Sequence, residues 1–165
     1  VSKTRILGIG LLLASLVLLA TCGAPAGARV EVKDVWARPA IALEESGGSA
    51  EEGMDQGMKM AGTGAVFMTI SNAGAEPDRL TGAATDVAKV VEIHETIMDG
   101  EVMKMQMLGD GLEIPAEGEV LLKPGGYHVM LIGVQRNLNV GDSFTIELQF
   151  EKSGSVSVEP EVREP

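Results

Sequence analysis

The chain of 165 residues has one cysteine, five aromatic side chains of the Phe, Trp and Tyr types, two histidines, and only 13 Lys and Arg against 24 Asp and Glu, for a net charge of −11. Each scarcity excludes something. Beyond Cys22 no cysteine occurs, so the domain from about Arg29 onward carries no disulfide, no thiolate ligand and no thiol nucleophile. A blue-copper electron carrier is excluded with it, because that site needs a Cys thiolate beside its histidines. The acidic balance disfavours nucleic acid and anionic lipid as partners and favours cations and basic protein faces. No Ser-His-Asp or Cys-His pattern, hard-metal carboxylate cluster or Gly-rich phosphate loop is present, so an enzyme is not expected.

Long apolar runs are confined to the start, VSKTRILGIGLLLASLVLLATCG, where Lys3 and Arg5 precede a run beginning at Ile6. A membrane span needs about 20 apolar residues and usually polar flanks on both sides. This run is shorter and ends in small residues around Cys22, the layout of an export signal. It resembles the lipobox of bacterial lipoproteins, in which the cysteine is acylated and heads the mature chain. The expected organisation is a signal over residues 1–21, a linker over 22–29 and one domain over 30–163, held by lipid on Cys22 at the outer face of the cytoplasmic membrane or in the periplasm. Loss of Lys3 and Arg5 takes the formal charge from −11 to −13.

In the remainder, short β-type runs bounded by Gly, Pro, Asn or Asp predict strands near residues 30–36, 65–71, 89–94, 101–107, 119–123, 127–132, 143–151 and 155–159. Alternation is cleanest in Phe144-Thr-Ile-Glu-Leu-Gln-Phe150, which reads as a half-buried strand. Such a series predicts an all-β, antiparallel sandwich or barrel with Greek-key connections. Residues 41–64, rich in Gly, Ser and Glu, predict a long loop that carries Met54, Met58 and Met60.

Nine methionines are present. Met68, in Ala65-Val-Phe-Met-Thr-Ile-Ser71, reads as core. In Val102-Met-Lys-Met-Gln-Met107, period-two alternation puts Met103, Met105 and Met107 on one face, which by itself favours core packing over a metal surface. The histidines shift that balance. His94 and His128 are expected to close and open strands beside this face, and His128 and Met130 point the same way about 6.5–7 Å apart. The turn Pro124-Gly-Gly126 would set that pair near the end of the barrel. Imidazole plus thioether selects Cu(I) over Ca²⁺, Mg²⁺ or Zn²⁺, and thioethers, unlike thiols, are not lost to disulfides outside the cytoplasm.

His94, ten residues, Met105, twenty-two residues, then His128-Val-Met130 resembles the pattern of the periplasmic copper chaperones of the PCu(A)C family. Asp34-Val-Trp-Ala-Arg-Pro-Ala40, Val66-Phe-Met-Thr-Ile-Ser-Asn72, Leu112-Glu-Ile-Pro115 and Leu122-Lys-Pro-Gly-Gly-Tyr-His-Val-Met-Leu131 extend the likeness from about Val30 to Arg163. The resemblance implies a cupredoxin-like Greek-key fold. It also implies one Cu(I) held by His94, Met105, His128 and Met130, and delivery of copper to the CuA site of cytochrome c oxidase subunit II, often alongside Sco-type proteins. Which of Met103, Met105 and Met107 ligates stays open from the residues alone. Residues 44–62 look partly inserted relative to the family, and their Met54, Met58 and Met60 are candidates for an auxiliary copper site. The competing reading is a metal-free adhesion or assembly module with a methionine-filled core.

Overall fold

A computed structural model describes residues 27–42, 62–100 and 102–165. The expected signal, Cys22, and Met54, Met58 and Met60 lie outside these residues. The described chain forms two packed β-sheets, the sandwich architecture expected of the cupredoxin-like class. One sheet orders its strands as β11 (Glu161–Val162), β1 (Val30–Ala37), β2 (Thr63–Asn72), β8 (Tyr127–Val134), β4 (Ala88–Asp99) and β5 (Val102–Met107), with β7 (Gly118–Leu122) beside the far half of β2. The other orders β10 (Gly154–Val158), β9 (Ile146–Phe150), β3 (Asp78–Thr85) and β6 (Leu112–Ile114).

The core lies between the sheets and is built by alternation. Val66, Met68 and Ile70 of β2, Val129 and Leu131 of β8, and Ile93 of β4 face Leu80, Ile114, Ile146 and Leu148 of the smaller sheet. Met68 is buried as expected, and burial of such a side chain contributes about 1.5–3 kcal/mol. Phe144, Ile146, Leu148 and Phe150 are buried while the residues between them are exposed, as their alternation predicts. Three strands have no counterpart in the sequence pattern. β3 contains Gly82 and two alanines and shifts register between Leu80 and Gly82, so its β signal is weak. β6 and β11 have three and two residues.

Met103, Met105 and Met107 are exposed with the rest of β5, which among the described residues pairs with β4 alone at the sheet edge. One expectation is corrected. His94 does not close its strand. β4 runs on through Glu95-Thr-Ile-Met-Asp99, where β-branched Thr96 and Ile97 suit a strand that pairs with β5.

Buried Asp78 fastens the β3 start to the β9–β10 turn, taking backbone N–H bonds from Arg79 (2.7 Å), Lys152 (2.9 Å) and Ser153 (2.9 Å). Burial alone would raise its pKa, but hydrogen bonds from Ser153, Lys152 and Arg79 outweigh this and hold it below 3.8. The folded state therefore binds fewer protons than the unfolded chain in acid, and this stabilisation is complete above pH 3.8 and lost as pH falls further. Asp78→Ala leaves three donors unpaired, and denaturant unfolding at neutral pH is expected to show a loss of about 2 kcal/mol or more, shrinking below pH 3.8.

Candidate metal centre

The larger sheet carries the candidate centre on its face turned away from the core. On β4 and β8 the pairs Val91–Leu131 and Ile93–Val129 point inward, so Glu92–Met130 and His94–His128 point outward. β5 adds Met107 opposite His94 and Met105 opposite Thr96, and β2 adds Ala65 opposite Met130. The His94 and His128 ring centroids lie 5.8 Å apart, tilted by 44°. Two imidazoles sharing one ion each hold it roughly 3 Å from the ring centre, given metal–nitrogen bonds of about 2 Å, so this separation suits a shared ion. The expectation of a site at the barrel end is refined: the pair sits on the outer sheet face, next to the turn where the Gly126 N–H donates to Lys123 O (3.0 Å) and Gly125 has φ 77°.

The hydrogen bonds of the two rings prepare them as ligands. Nδ1 of His128 donates to the Gly126 carbonyl (3.0 Å), leaving Nε2 without a hydrogen-bond partner among the described residues. Nε2 of His94 donates to the Glu92 carboxylate (2.8 Å), and its buried Nδ1 has no partner among the described residues. Each ring thus has one nitrogen fixed by an acceptor and the other's lone pair free, the arrangement that orients metal-binding histidines. Glu92 escaped notice in the sequence, although its place two residues before His94, on the same face, was the available signal.

Met105, His128 and Met130 line one pocket of about 210 Å³, together with Arg38, Pro39, Thr63, Gly64 and Ala65. Of the three β5 thioethers only Met105 lines it; Met107 stands across from His94 at the register level, and Met103 pairs with Met98 near the hairpin tip. Among the described residues no group of three or more His, Cys, Asp or Glu side chains is placed to hold an ion.

An aromatic flank extends the row. A β-bulge between Lys33 and Trp36, with Asp34 at φ 52°, inserts one residue into β1 and turns Trp36 from the inward to the outward face, opposite Phe67. Trp36 and Phe67 rings are 4.6 Å apart, and Phe67 and His128 rings 6.4 Å. Arg38 lies over Phe67 at 5.5 Å, Arg163 over Trp36 at 5.0 Å. Burial lowers the His128 pKa below 6.5. The Gly126 carbonyl raises it in part, while His94 and the Arg38 guanidinium depress it further. The centre is therefore built around a neutral imidazole.

The family model described as LpqE-like matches residues 30–162. Lxx21020 of Leifsonia xyli subsp. xyli, whose name points to a lipoprotein, is 34% identical over 102 residues, 61% of this chain and 61% of its own. RP573 of Rickettsia prowazekii is 30% identical over 127 residues, 77% of this chain and 62% of its own. The matches thus span about three-fifths of the length of these relatives. Among solved structures, the CuI form of DR1885 from Deinococcus radiodurans is 31% identical, with a TM-score of 0.54 over 80% of this chain and 78% of its own. The copper-bound PCuAC domain of PmoF2 is 22% identical with a TM-score of 0.60, over 86% of this chain and 97% of its own, a likeness of fold.

Because folded His128 resists protonation, the metal-free protein binds fewer protons than its unfolded chain just below pH 6.5. Its stability is expected to be full above pH 6.5 and to fall as pH drops below that value, with a shallower fall in His128→Gln. Urea unfolding at stepped pH measures this, and an NMR titration of the His128 ring should give a midpoint below 6.5.

Proposed function

The chain belongs to the LpqE-like family and has the PCuAC fold, and on that premise we propose that it is an extracytoplasmic copper chaperone that binds one Cu(I) through His94, Met105, His128 and Met130. The observation that carries this reading is the pair of facing imidazoles, each with one nitrogen bonded and the other free, beside a pocket that Met105 and Met130 share with His128. All four donors are neutral and two are thioethers, a set that favours a soft monovalent ion. The competing account of methionine as core filler fits Met68 but not Met105, which is 56% exposed.

Transfer proceeds by ligand exchange with copper remaining Cu(I). Exposed Met105 is the first donor that an acceptor's ligand displaces; Met130 follows, and the two oriented imidazoles release last. Each step breaks one copper–donor bond as another forms, so no proton or electron need move and no bond of the acceptor is cleaved. The domain itself catalyses no reaction in this scheme. The acidic surface, with a chain net charge of −11, steers encounter with a basic partner face. Supported by the family resemblance, the acceptor we propose is the CuA site of cytochrome c oxidase subunit II, with Sco-type proteins as co-workers. The lipoprotein name of a relative supports export and anchoring through Cys22.

Anaerobic Cu(I) titration against a chromogenic chelator tests the ligand set. His128→Ala and Met130→Ala are each expected to weaken binding by more than about tenfold, and undiminished affinity in both would contradict the proposal. Glu92→Gln retains both imidazoles but weakens the acceptor that orients His94, and a loss of about 10-fold is expected. Since His128 must be neutral to bind, affinity should decline as pH falls below 6.5 and that imidazole protonates.

A further inference from the structure

The β4–β5 hairpin has a thioether pair that the copper centre does not use. Met98 and Met103 are Cα partners across the hairpin, one step from the Asp99–Val102 pair that adjoins the turn at Gly100. They are 63% and 69% exposed. Opposed residues on antiparallel strands have Cβ atoms about 4.5–5.5 Å apart, and methionine's three rotatable bonds let two sulfurs close on one ion from that distance. Burial does not account for them, because side chains this exposed gain little from it. An exposed edge strand is ordinarily guarded by charged side chains, and here Lys104 serves on the opposite face, paired with Asp99. The outward face at the tip instead presents Met98 and Met103, with Met105 two residues farther along β5.

We infer that Met98 and Met103 form a second, outer site for a soft monovalent cation, Cu(I) or Ag(I), bound through two thioether sulfurs. The pair has no charge and no hydrogen-bonding atom, so hard cations gain nothing there, while a soft ion accepts two sulfur donors. The ladder Met98/Met103, Met105, then His128 and Met130 offers sulfur donors between the hairpin tip and the pocket; residues two apart on one strand are about 6.5–7 Å apart. On the reading given under Proposed function, the outer pair receives the ion first and passes it inward through Met105.

Ag(I), a diamagnetic stand-in that undergoes no oxidation, tests the outer site by itself. The whole domain over residues 30–163, with its loop at 41–64, carrying ¹³C-methyl methionine is titrated with Ag(I) and followed by NMR, beside a Met98→Leu/Met103→Leu variant that keeps the apolar surface. The expected result is a first equivalent that moves the His128 ring and Met130 methyl signals and a weaker second that moves Met98 and Met103. The double variant should keep the first step and lose the second. Unmoved Met98 and Met103 signals, or a second equivalent that appears instead on Met54, Met58 and Met60, overturns the outer site. A first equivalent that leaves His128 and Met130 unmoved overturns the inner centre, independently of what the hairpin signals do.

Discussion

The register of β4 against β8 is the constraint on which the candidate centre depends. It sets Ile93 opposite Val129 in the core and, one step on, His94 opposite His128 on the outer face. A slip of β4 by one residue would turn His94 inward and push Ile93 into solvent while His128 stayed outside, which the cost of exposing a core side chain forbids. The candidate donors are thus held in place by hydrophobic burial on the other side of the same strands. The donors need no dedicated scaffold of their own.

The outer face is also where the sheet departs from regularity. The bulge at Asp34 brings Trp36 out beside Phe67, and the aromatic flank it completes leaves His128 only 5% exposed. A buried histidine is costly to charge, and the Arg38 guanidinium over Phe67 adds to that cost. The same surroundings that close off His128 therefore keep it in the form that can donate a lone pair. Met105 is the counterweight: it joins the pocket from an edge strand and remains open to solvent. One half of the candidate centre is shielded and oriented; the other half is open to solvent.

Much of this was legible in the residues. Period-two alternation located β9 and the main strands, and His128-Val-Met130 was readable as a pair pointing the same way after a Gly-Gly turn. What escaped had physical reasons. β3 is poor in β-branched and aromatic residues and owes its conformation to its neighbours β6 and β9. Taken by itself the Met103, Met105 and Met107 face favoured core, because apolar alternation is the same on a buried strand and on an exposed edge, and it took the histidines to shift that reading. Only the strand order, which local pattern does not encode, distinguishes the two. Arg38 was invisible as part of the centre because a bulge in β1 brings its segment there, whereas Glu92 had the signal of standing two residues before His94 on the same face. Alternation alone did not separate Met105 from Met103 and Met107; the family resemblance singled it out, and of the three it is the one that lines the pocket.

The central claim is that one ion is held by two imidazoles and two thioethers on this sheet face. X-ray absorption at the copper edge of the protein loaded anaerobically with one equivalent of Cu(I) reads that shell directly. The account predicts a Cu(I) edge and a mixed shell of nitrogen and sulfur, with the outer-shell scattering of two imidazole rings. A shell of sulfur alone, or of nitrogen and oxygen without sulfur, would contradict it.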